Sequence, residues 1–559
     1  MDIRKITDAL SVSPQIMPAD LPALKTAGFR SIIINRPDAE GADQPGHEEI
    51  AAAAAKAGIE TRYLPVTPGI VTDETAIAFG AALSDLPGPV LAYCRTGTRS
   101  ATLWSLAEAQ SRPLPDILSA TKAAGYDMSG VARRIANGGK TPTDTGDAKY
   151  DVVIVGAGAG GIAVAASLRA RKPGLEIALI DPADIHYYQP GWTMVGGGIF
   201  DAQSTARTMG SLIPDGVHWI KAAVAAFEPK DNAIVLDGCR VVTYDRLVVC
   251  PGLKLDWDKV AGLKETLGRN GVTSNYRYDL APYTWELVQN MRKGRAIFTQ
   301  PPMPIKCAGA PQKAMYLSGD AWFRKGVLKD IDIQFNNAGG VLFGVKDYVP
   351  ALESYVQKYD ATLNFFHNLI AVDGPAKTAV FEVKAPDTEV RQVEMAFDMM
   401  HVCPPQSAPD FIRVSLLADA AGWVDVDQAT LRHKTYDNIW SLGDVMNAPN
   451  AKTAAAARKQ APVVADNIVA DMRGRTAVAQ YDGYGSCPLT VERGKIVLAE
   501  FGYGGVLRPS FPRWMIDGTK PSRAAWLLKE RILPPIYWRA MLKGREWMAK
   551  PEKITAASD

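Results

Sequence analysis

The chain has 559 residues, of which 47% are hydrophobic and 22% are charged. This composition supplies enough apolar surface for several folded cores and excludes a disordered chain. The formal net charge of +2 excludes a general nucleic-acid binder, because such proteins carry a large excess of Lys and Arg. We therefore expect a globular protein of about three or four domains.

The positions of the cysteines limit the types of site that they can form. They are Cys94, Cys239, Cys250, Cys307, Cys403 and Cys487. They show no CxxC or His-rich spacing, which disfavours a zinc site and a dense disulfide framework and leaves redox or nucleophilic thiols. The first residues lack the apolar segment of a secretory signal, and no unbroken apolar run is long enough to span a membrane. A cytoplasmic location is expected.

Residues 1–138 alternate short apolar strands with alanine-rich helices, which predicts an αβ domain. The strand Val90–Tyr93 leads into Cys94, with Gly97 and Arg99 at the start of a helix. Backbone N–H groups at a helix N-terminus, closed by an arginine, can cradle an anion and lower the pKa of a thiol. We predict a thiolate nucleophile at Cys94. The alternative is a buried structural cysteine.

This region resembles the phosphatase-like domain of bacterial beta-lactamase hydrolase-like proteins, in particular at Ser11–Gln15 and Ile34–Asp38. The resemblance implies the fold and leaves the substrate open. The loop from Cys94 to Arg99 is one residue shorter than that of tyrosine phosphatases and is similar to that of rhodaneses, so it favours sulfur transfer over phosphate hydrolysis. Asp38 and Asp73 are alternatively the general acids of a phosphatase or residues of a turn and a helix cap.

A polar segment at 139–149, with Gly, Pro and Thr, is predicted to be a linker. The next strand, Asp151–Val155, runs into a glycine fingerprint. Its residues are Gly156, Gly158 and Gly161, with Asp181 at the end of the following strand. The glycines permit the turn, the approach of a pyrophosphate and helix packing, and the acid can bind a ribose hydroxyl. This pattern predicts a dinucleotide-binding domain over 150–270 and 396–480.

A distant segment favours FAD as the dinucleotide. The strand that begins near Thr435 ends in Gly443-Asp444, and flavoproteins with two dinucleotide-binding domains use such an acid to bind the ribityl chain. Lys452 precedes a helix predicted over Thr453–Ile468, whose N-terminus would face the flavin ring and favour its reduced anion.

A second Rossmann-like domain is predicted over 271–395. After its strand Arg295–Gln300, a nicotinamide-binding domain would carry a glycine fingerprint, but the chain has a proline-rich turn with Cys307. The turn disfavours NAD(P)H as the electron donor, because it offers no close backbone approach to a phosphate. Cys307 lies between Lys306 and Lys313 and shortly before a helix, so we predict a stabilised thiolate there.

Three motifs in this part are similar to those of mitochondrial-type sulfide:quinone oxidoreductases. They are Ile305–Lys313, His186–Trp192 and Asp419–Asp427. The resemblance covers about 150–550. It implies that Cys307 holds sulfane sulfur beside FAD, that a second cysteine completes a disulfide, and that electrons from sulfide or a persulfide pass to a membrane quinone.

The chain departs from this pattern at the second cysteine. The family places it directly after Gly443-Asp444, where this chain has Val445. Cys403 is our preferred replacement, and Cys250 or an external thiol are the alternatives. His186 and His401 are either proton shuttles or structural residues.

The C-terminal region, 481–559, is predicted to lie at a membrane interface. Two short aromatic-rich helices are expected over Pro521–Met548, broken at Pro534-Pro535, and Lys520–Lys553 contains nine Lys or Arg against three Glu. Such helices suit the surface of an anionic bilayer, so we expect peripheral association with the inner membrane. The alternative is that they pack on the flavin domain or on a partner in a homo-oligomer.

The sequence thus predicts an α/β protein with an N-terminal phosphatase-like αβ domain, a two-domain flavoprotein and an amphipathic helical tail. The predicted function is FAD-dependent oxidation of sulfide or related sulfur with quinone as the acceptor, coupled to sulfur transfer at Cys94. One alternative is an NAD(P)H- or thiol-dependent flavin reductase with a fused phosphatase. Another is a membrane-recruited redox sensor without turnover.

Overall fold

The computed structural model describes residues 2–41, 44–68, 71–141, 148–237 and 240–554. Residues 142–147 of the predicted linker, and Cys239, lie outside the described residues. The chain forms two compact units. The first comprises 1–150, 222–244 and 410–422, and the second comprises 151–221, 245–409 and 423–559. The first unit therefore includes two segments that lie within the bounds predicted for the flavin domain.

The first unit is built on a five-stranded sheet. In spatial order its strands are Arg4–Lys5, Leu10–Ser13, Val90–Tyr93, Ser31–Ile34 and Glu60–Tyr63. Only the first pair is antiparallel. The helices of residues 1–150 are Leu21–Thr26, His47–Lys56, Asp73–Asp85, Thr98–Ala107, Leu114–Ala123 and Ala132–Ala136. Since the carboxyl ends of parallel strands share one edge, the residues that follow Tyr93 and Ile34 meet there.

The added segments of this unit extend its core. The antiparallel strands Val224–Glu228 and Ala233–Leu236 contribute Ala225, Ala226 and Val235 to a cluster that contains the fully buried Trp104. The short helix Asp410–Arg413 lies in the third segment of the unit. Burial of these apolar side chains explains why the unit includes chain segments remote in sequence.

The second unit contains the dinucleotide-binding sheet. Its parallel strands, in spatial order, are Val217–Ile220, Ile177–Ile180, Ala148–Val155, Val241–Val249 and Ile439–Ser441. The helices Ala159–Arg171 and Ala454–Asp471 pack against each other. Shorter elements follow the first helix, among them the strands Ile185–Tyr187 and Ala206–Thr208 and the helix Trp192–Gly196.

A second parallel sheet carries the predicted cysteine turn. Its strands are Val272–Thr273, Met399–His401, Gly294–Gln300, Ile331–Asn337 and Thr362–Phe365, in that spatial order. Helices Ala281–Asn290, Ala310–Lys325 and Val349–Lys358 belong to this region, and His367–Asp373, Thr378–Val383 and Arg391–Ala396 form a separate antiparallel sheet. The helix after Cys307 begins at Ala310, and Pro311 is accommodated in its first turn.

The C-terminal region begins with an antiparallel hairpin, Gly485–Glu492 and Lys495–Phe501. Helical turns follow at Arg523–Leu527, Leu528–Ile532 and Leu533–Arg539. Pro534 and Pro535 lie in the first turn of Leu533–Arg539, where their missing N–H groups have no partner to lose within that helix. The turn before them, Leu528–Ile532, is π-helical, so the predicted helices meet at an irregular turn next to these prolines. Among the described residues, no helix has the length and hydrophobicity of a membrane span.

Candidate functional site: a paired thiol beside a dinucleotide cradle

The glycine fingerprint has the backbone geometry that a dinucleotide requires. Gly156 has φ +101°, in the left-handed region, and a Cβ at Gly161 would lie 1.8 Å from the Gly156 carbonyl oxygen. The Asp181 carboxylate accepts hydrogen bonds from the N–H groups of Ala157 (2.7 Å) and Ala183 (2.8 Å). Only glycine fits the two tight positions, so the predicted turn, helix and acid form one cradle.

The downstream segment reaches the same cavity. Gly443 has φ +79° and donates its N–H to Gln460 Oε1 at 2.8 Å. Lys452 Nζ donates to the carbonyl oxygens of Asp444 (2.7 Å) and Met446 (2.8 Å). The following helix begins at Ala454, with the Thr453 hydroxyl accepting from Ala456 N–H. Lys452 therefore braces the turn that presents Asp444.

The cavity between these segments has a volume of ≈ 560 Å³ and is lined by Gly158, Asp181, Asp444, Lys452 and Cys307 among others. Four of its lining residues have buried polar atoms without a hydrogen-bond partner in the described part of the chain. These atoms are Trp192 Nε1, Thr193 Oγ1, Arg458 Nε and both amide atoms of Asn275. Buried polar groups are rarely left unsatisfied, so they fit a polar ligand such as FAD.

Cys307 is held at the cavity in an unusual backbone conformation. Its φ is +49°, which non-glycine residues seldom adopt. Its N–H donates to the Lys452 carbonyl at 2.8 Å, and its carbonyl accepts from Ala310 N–H at 2.7 Å. The adjacent Lys306 N–H donates to Gln406 Oε1 at 2.7 Å. These bonds fix the strained turn and thereby the direction of the thiol.

The Cys307 sulfur has two close polar partners. Cys487 Sγ lies 3.5 Å from Cys307 Sγ, and Lys313 Nζ lies 3.1 Å from it. Cys487 is buried in the strand Gly485–Glu492, and Lys313 is 3% exposed on the helix Ala310–Lys325. A Cβ at Gly309 would lie 2.6 Å from Cys487 Sγ, so the glycine permits the close approach of the two thiols.

The electrostatics favour a thiolate on Cys307. A hydrogen bond from the Cys487 thiol, and the charge of Lys313, hold the Cys307 pKa well below its usual range against the effect of burial. The pKa of Cys487 is correspondingly raised, by this same hydrogen bond and by burial. Burial, with a further contribution from the charge of Lys313, lowers the pKa of the nearby Lys529 to about 7. The pair is one thiolate and one thiol.

The other cysteines of this unit lie in different surroundings. Cys403 is buried, its sulfur accepts a long hydrogen bond from Gln406 Nε2 (3.7 Å), and burial raises its pKa to about 12. Cys250 lies under the glycine turn, where its sulfur contacts the Gly156 carbonyl at 3.6 Å. The structure thus places Cys487 in direct contact with Cys307 at 3.5 Å, whereas the preferred Cys403 lies in a neighbouring buried cluster against which Cys307 packs.

The sequence analysis missed Cys487 as a site residue. It lies 180 positions after Cys307, on a hairpin strand that has no motif, in a segment assigned to the membrane interface. A signal available in the sequence is the spacing of Cys487, Leu489 and Val491 at alternate positions, which predicts a strand with these side chains on one face.

The two histidines have structural partners. His186 Nδ1 contacts the Ala157 carbonyl at 3.1 Å, and its Nε2 contacts the Tyr537 hydroxyl at 2.6 Å. His401 Nε2 accepts from Asn275 N–H at 2.9 Å, and burial lowers its pKa to about 3. His401 is therefore neutral at physiological pH.

A second cysteine site lies in the first unit. Cys94 is fully buried at the end of the strand Val90–Tyr93, and its sulfur accepts from Gly97 N–H at 3.2 Å. Gly97 has φ +89°, and a Cβ there would lie 2.0 Å from the Tyr126 hydroxyl. The predicted loop at a helix N-terminus is present, and Tyr126 packs closely over it.

The guanidinium of Arg99 is engaged by other residues of the first unit. Its guanidinium pairs with the Glu40 carboxylate at 2.8 Å and donates to the Val66 carbonyl at 2.6 Å. Glu40 also pairs with Arg36 at 2.8 Å. The predicted closure of an anion cradle by a free arginine is thus modified, because Glu40 partly neutralises the guanidinium in this conformation.

The two aspartates considered as acids are also engaged. Asp38 accepts from His47 N–H at 2.8 Å, and its carboxylate lies 2.5 Å from His47 Nδ1, a bond that lowers the Asp38 pKa. Asp73 binds Arg134 at 2.7 Å and the backbone of Thr141 at 3.0 Å. Both carboxylates are held ionised, whereas a general acid must carry a proton.

Replacement of Lys313 by Met tests the thiolate assignment. The variant keeps the length of the side chain and removes its charge, so the pKa of Cys307 rises and alkylation by iodoacetamide at neutral pH slows by about tenfold. The pH dependence of alkylation of the reduced protein measures this. Lys325→Met, on the exposed end of the same helix, is the control, and an unchanged pH profile for Lys313→Met would contradict the assignment.

Two protein families match separate parts of the chain. Residues 2–111 match the family described as beta-lactamase hydrolase-like protein, phosphatase-like domain. Residues 150–282 match the family described as pyridine nucleotide-disulphide oxidoreductase. A beta-lactamase hydrolase-like protein of Agrobacterium fabrum is 37% identical over 131 residues, which is 23% of this chain and 30% of that protein.

The larger, C-terminal part of the chain is similar to known proteins over most of the length of those proteins. The mitochondrial sulfide:quinone oxidoreductase of Dictyostelium discoideum is 43% identical over 402 residues, covering 71% of this chain and 87% of that protein. The solved sulfide:quinone oxidoreductase of Aquifex aeolicus shares the fold, with a TM-score of 0.60 at 19% identity over 74% of this chain and 98% of that chain. This chain therefore belongs to the sulfide:quinone oxidoreductase family and carries an additional N-terminal phosphatase-like domain.

Proposed function

We propose that this protein oxidises sulfide and transfers the electrons to quinone, with Cys307 and Cys487 as the redox pair. The observation that carries the proposal is the 3.5 Å contact of these two sulfurs, beside Lys313, in the cavity of the dinucleotide cradle. The distance is that of two unlinked thiols, and a small movement brings them to disulfide length.

The sulfur chemistry follows from the two pKa directions. In the oxidised enzyme, HS⁻ attacks a sulfur of the Cys307–Cys487 disulfide, the S–S bond breaks, and one cysteine leaves as a thiolate. Because the thiolate of lower pKa leaves faster, attack at Cys487 is favoured and Cys307 is released beside Lys313. The sulfane sulfur then resides on Cys487, which refines the role implied for Cys307 by the resemblance.

An acceptor thiol completes the cycle. Its thiolate attacks the outer sulfur of the Cys487 persulfide and leaves as a new persulfide, and the two cysteines return to the disulfide with loss of two electrons and two protons. The net reaction is H₂S + RSH + Q → RSSH + QH₂, in which sulfide is oxidised and the quinone Q is reduced. FAD, held by the fingerprint, Asp181 and the Gly443-Asp444 turn, supplies the two-electron carrier between them.

The N-terminal unit fits a sulfur-transfer role. We infer that the Cys94 thiolate attacks the outer sulfur of a persulfide, forming Cys94–S–SH and releasing a thiolate, and that a second thiol later removes the sulfur. Hydrolysis of a phosphate dianion needs free positive charge, but Arg99 is paired with Glu40. It also needs a proton donor, but Asp38 and Asp73 are ionised, so the site suits sulfur transfer better.

Peripheral membrane contact is proposed for the C-terminal region. Several of its large apolar side chains are exposed, including Trp514 (82%), Trp547 (61%), Met515 (48%), Leu527 (47%) and Ile532 (47%). Exposed Trp and aliphatic side chains among cations suit insertion into the interface of an anionic bilayer, where a membrane quinone is available.

Serine substitutions distinguish the redox pair from Cys403. Cys307→Ser and Cys487→Ser each lower sulfide-dependent quinone reduction by about a thousandfold or more, because neither can form the disulfide. Cys403→Ser stays within a few-fold of the parent. Quinone reduction is measured with FAD content and with anaerobic titration of the flavin spectrum by sulfide. Full activity of Cys487→Ser, or loss only in Cys403→Ser, would reverse the assignment.

Cys94→Ser separates the two activities. In the full chain it abolishes sulfur transfer from a small organic persulfide to an acceptor thiol, and it leaves sulfide-dependent flavin reduction unchanged. Cys307→Ser gives the opposite result and serves as the control. Sulfur transfer is measured by persulfide-specific alkylation. Cys94-dependent phosphate release from an aryl phosphate, without sulfur transfer, would assign a phosphatase instead.

Trp514→Ala with Met515→Ala tests the membrane surface. The double variant weakens binding to phosphatidylglycerol vesicles by about tenfold or more, since two apolar side chains no longer leave water. Co-sedimentation measures the binding, and activity with a water-soluble quinone stays unchanged. Phe323→Ala, an exposed aromatic on the helix Ala310–Lys325, is the control. Equal binding of both variants would place the contact elsewhere.

A further inference from the structure

A buried acidic side chain lines this cavity outside the segments that form the cofactor cradle. The Glu500 cluster consists of Glu500, Tyr484 and Ser510, all of which line the cavity that contains Cys307. Glu500 is directly across the hairpin from Ser486, the residue before Cys487. The acid is therefore positioned by the same strand pair that positions the redox thiol.

The side chain of Glu500 is only 5% exposed, and its neighbours are hydrogen-bond donors. Its Oε1 accepts from the Tyr484 hydroxyl at 2.6 Å and from the Ser510 hydroxyl at 2.5 Å, and its Oε2 accepts from Ser510 N–H at 3.1 Å. The two hydroxyls lie 3.1 Å apart. Within the described residues, no Lys or Arg forms an ion pair with Glu500 within 4.0 Å.

A buried carboxylate without an ion pair destabilises a fold unless hydrogen bonds compensate for the lost contact with water. Such groups concentrate at functional sites, because a fold has little other reason to retain them. The remaining acids on the cavity wall, Asp181 and Asp444, belong to the dinucleotide cradle. Among the acids that line the cavity, Glu500 is thus the one without a role in the dinucleotide cradle.

The surroundings of the Glu500 cluster suit an apolar substrate. Leu498, Phe511, Leu528 and Leu533 line the same cavity. Phe511 is followed shortly by the exposed Trp514 and Met515, so a quinone arriving from the membrane surface would reach the cavity along this part of the chain. Ser510 is half-buried, which gives the Glu500 cluster access to water.

We infer that Glu500 relays protons to quinone: its carboxylate takes a proton from water through the hydroxyls of Tyr484 and Ser510 and passes that proton to a quinone oxygen. This inference rests on the quinone reduction proposed above. Each transfer breaks a carboxyl O–H bond and forms a quinol O–H bond, and the carboxylate then takes a proton from water through the hydroxyls. Two such transfers balance the two electrons that sulfide supplies. Burial raises the pKa of Tyr484, with a contribution from Glu500, so its hydroxyl keeps its proton and donates.

Glu500→Gln separates proton delivery from the rest of the cycle. Stopped-flow absorbance of the FAD-loaded full chain follows flavin reduction by sulfide and, separately, flavin reoxidation by a water-soluble short-chain quinone or by ferricyanide. We expect the limiting rate of reoxidation by quinone to fall by about a hundredfold, since general acids contribute factors of that order. Reduction by sulfide, and reoxidation by ferricyanide, which takes electrons without protons, stay within twofold.

Variants of the two hydroxyl residues and a measurement in deuterated water test the proton path. Tyr484→Phe and Ser510→Ala give smaller losses in the same quinone step, and that step shows a solvent deuterium isotope effect in the parent. Glu492→Gln, at the surface end of the same hairpin and paired with Lys358 and Lys495, is the matched control with parent rates.

The outcomes separate the two proposals. Unchanged quinone reoxidation in Glu500→Gln, or equal slowing with quinone and ferricyanide, overturns the role of Glu500. A parent enzyme whose flavin is not reduced by sulfide overturns the proposed function instead. The flavin content of each variant, read from its visible spectrum, shows that the cavity remains folded.

Discussion

The site depends on one interaction, the contact of the Cys307 sulfur with Cys487 and Lys313. A thiolate in a buried cavity is unstable unless donors surround it, and here an S–H group and an ammonium supply them at 3.5 and 3.1 Å. The same contact separates the two thiol pKa values. In the proposed cycle, that separation of pKa values makes Cys307 the leaving thiolate and Cys487 the position for sulfane sulfur.

Three parts of the chain must be in register for this contact to exist. The helix Ala310–Lys325 supplies Lys313, the hairpin Gly485–Phe501 supplies Cys487, and the Lys452 carbonyl holds the Cys307 turn in its left-handed conformation. Gly309 removes the side chain that would separate the sulfurs. The cofactor cradle and the thiol pair share Lys452, which links the binding of FAD to the alignment of the thiol.

The two units of the chain present a cysteine in similar local structure on different folds. Each presents a cysteine after the carboxyl end of a parallel strand and shortly before a helix, where backbone N–H groups favour negative charge. They differ in the cation, because Lys313 directly contacts its sulfur whereas Arg99 is paired with Glu40. A fused chain of this kind would produce and use sulfane sulfur in one molecule.

Local patterns in the sequence were sufficient to predict the dinucleotide cradle and the two cysteine loops. The strand, Gly156, Gly158, Gly161 and Asp181 predicted the dinucleotide cradle, because glycine spacing and a distal acid are local requirements of that turn. The loop of Cys94 and the lysines beside Cys307 were equally readable. Tertiary structure alone decided the partner of Cys307, the engagement of Arg99 by Glu40 and the placement of Glu500 on the cavity wall. These contacts join residues up to 180 positions apart, and no short-range pattern encodes them, since they arise from how the sheets and the hairpin pack.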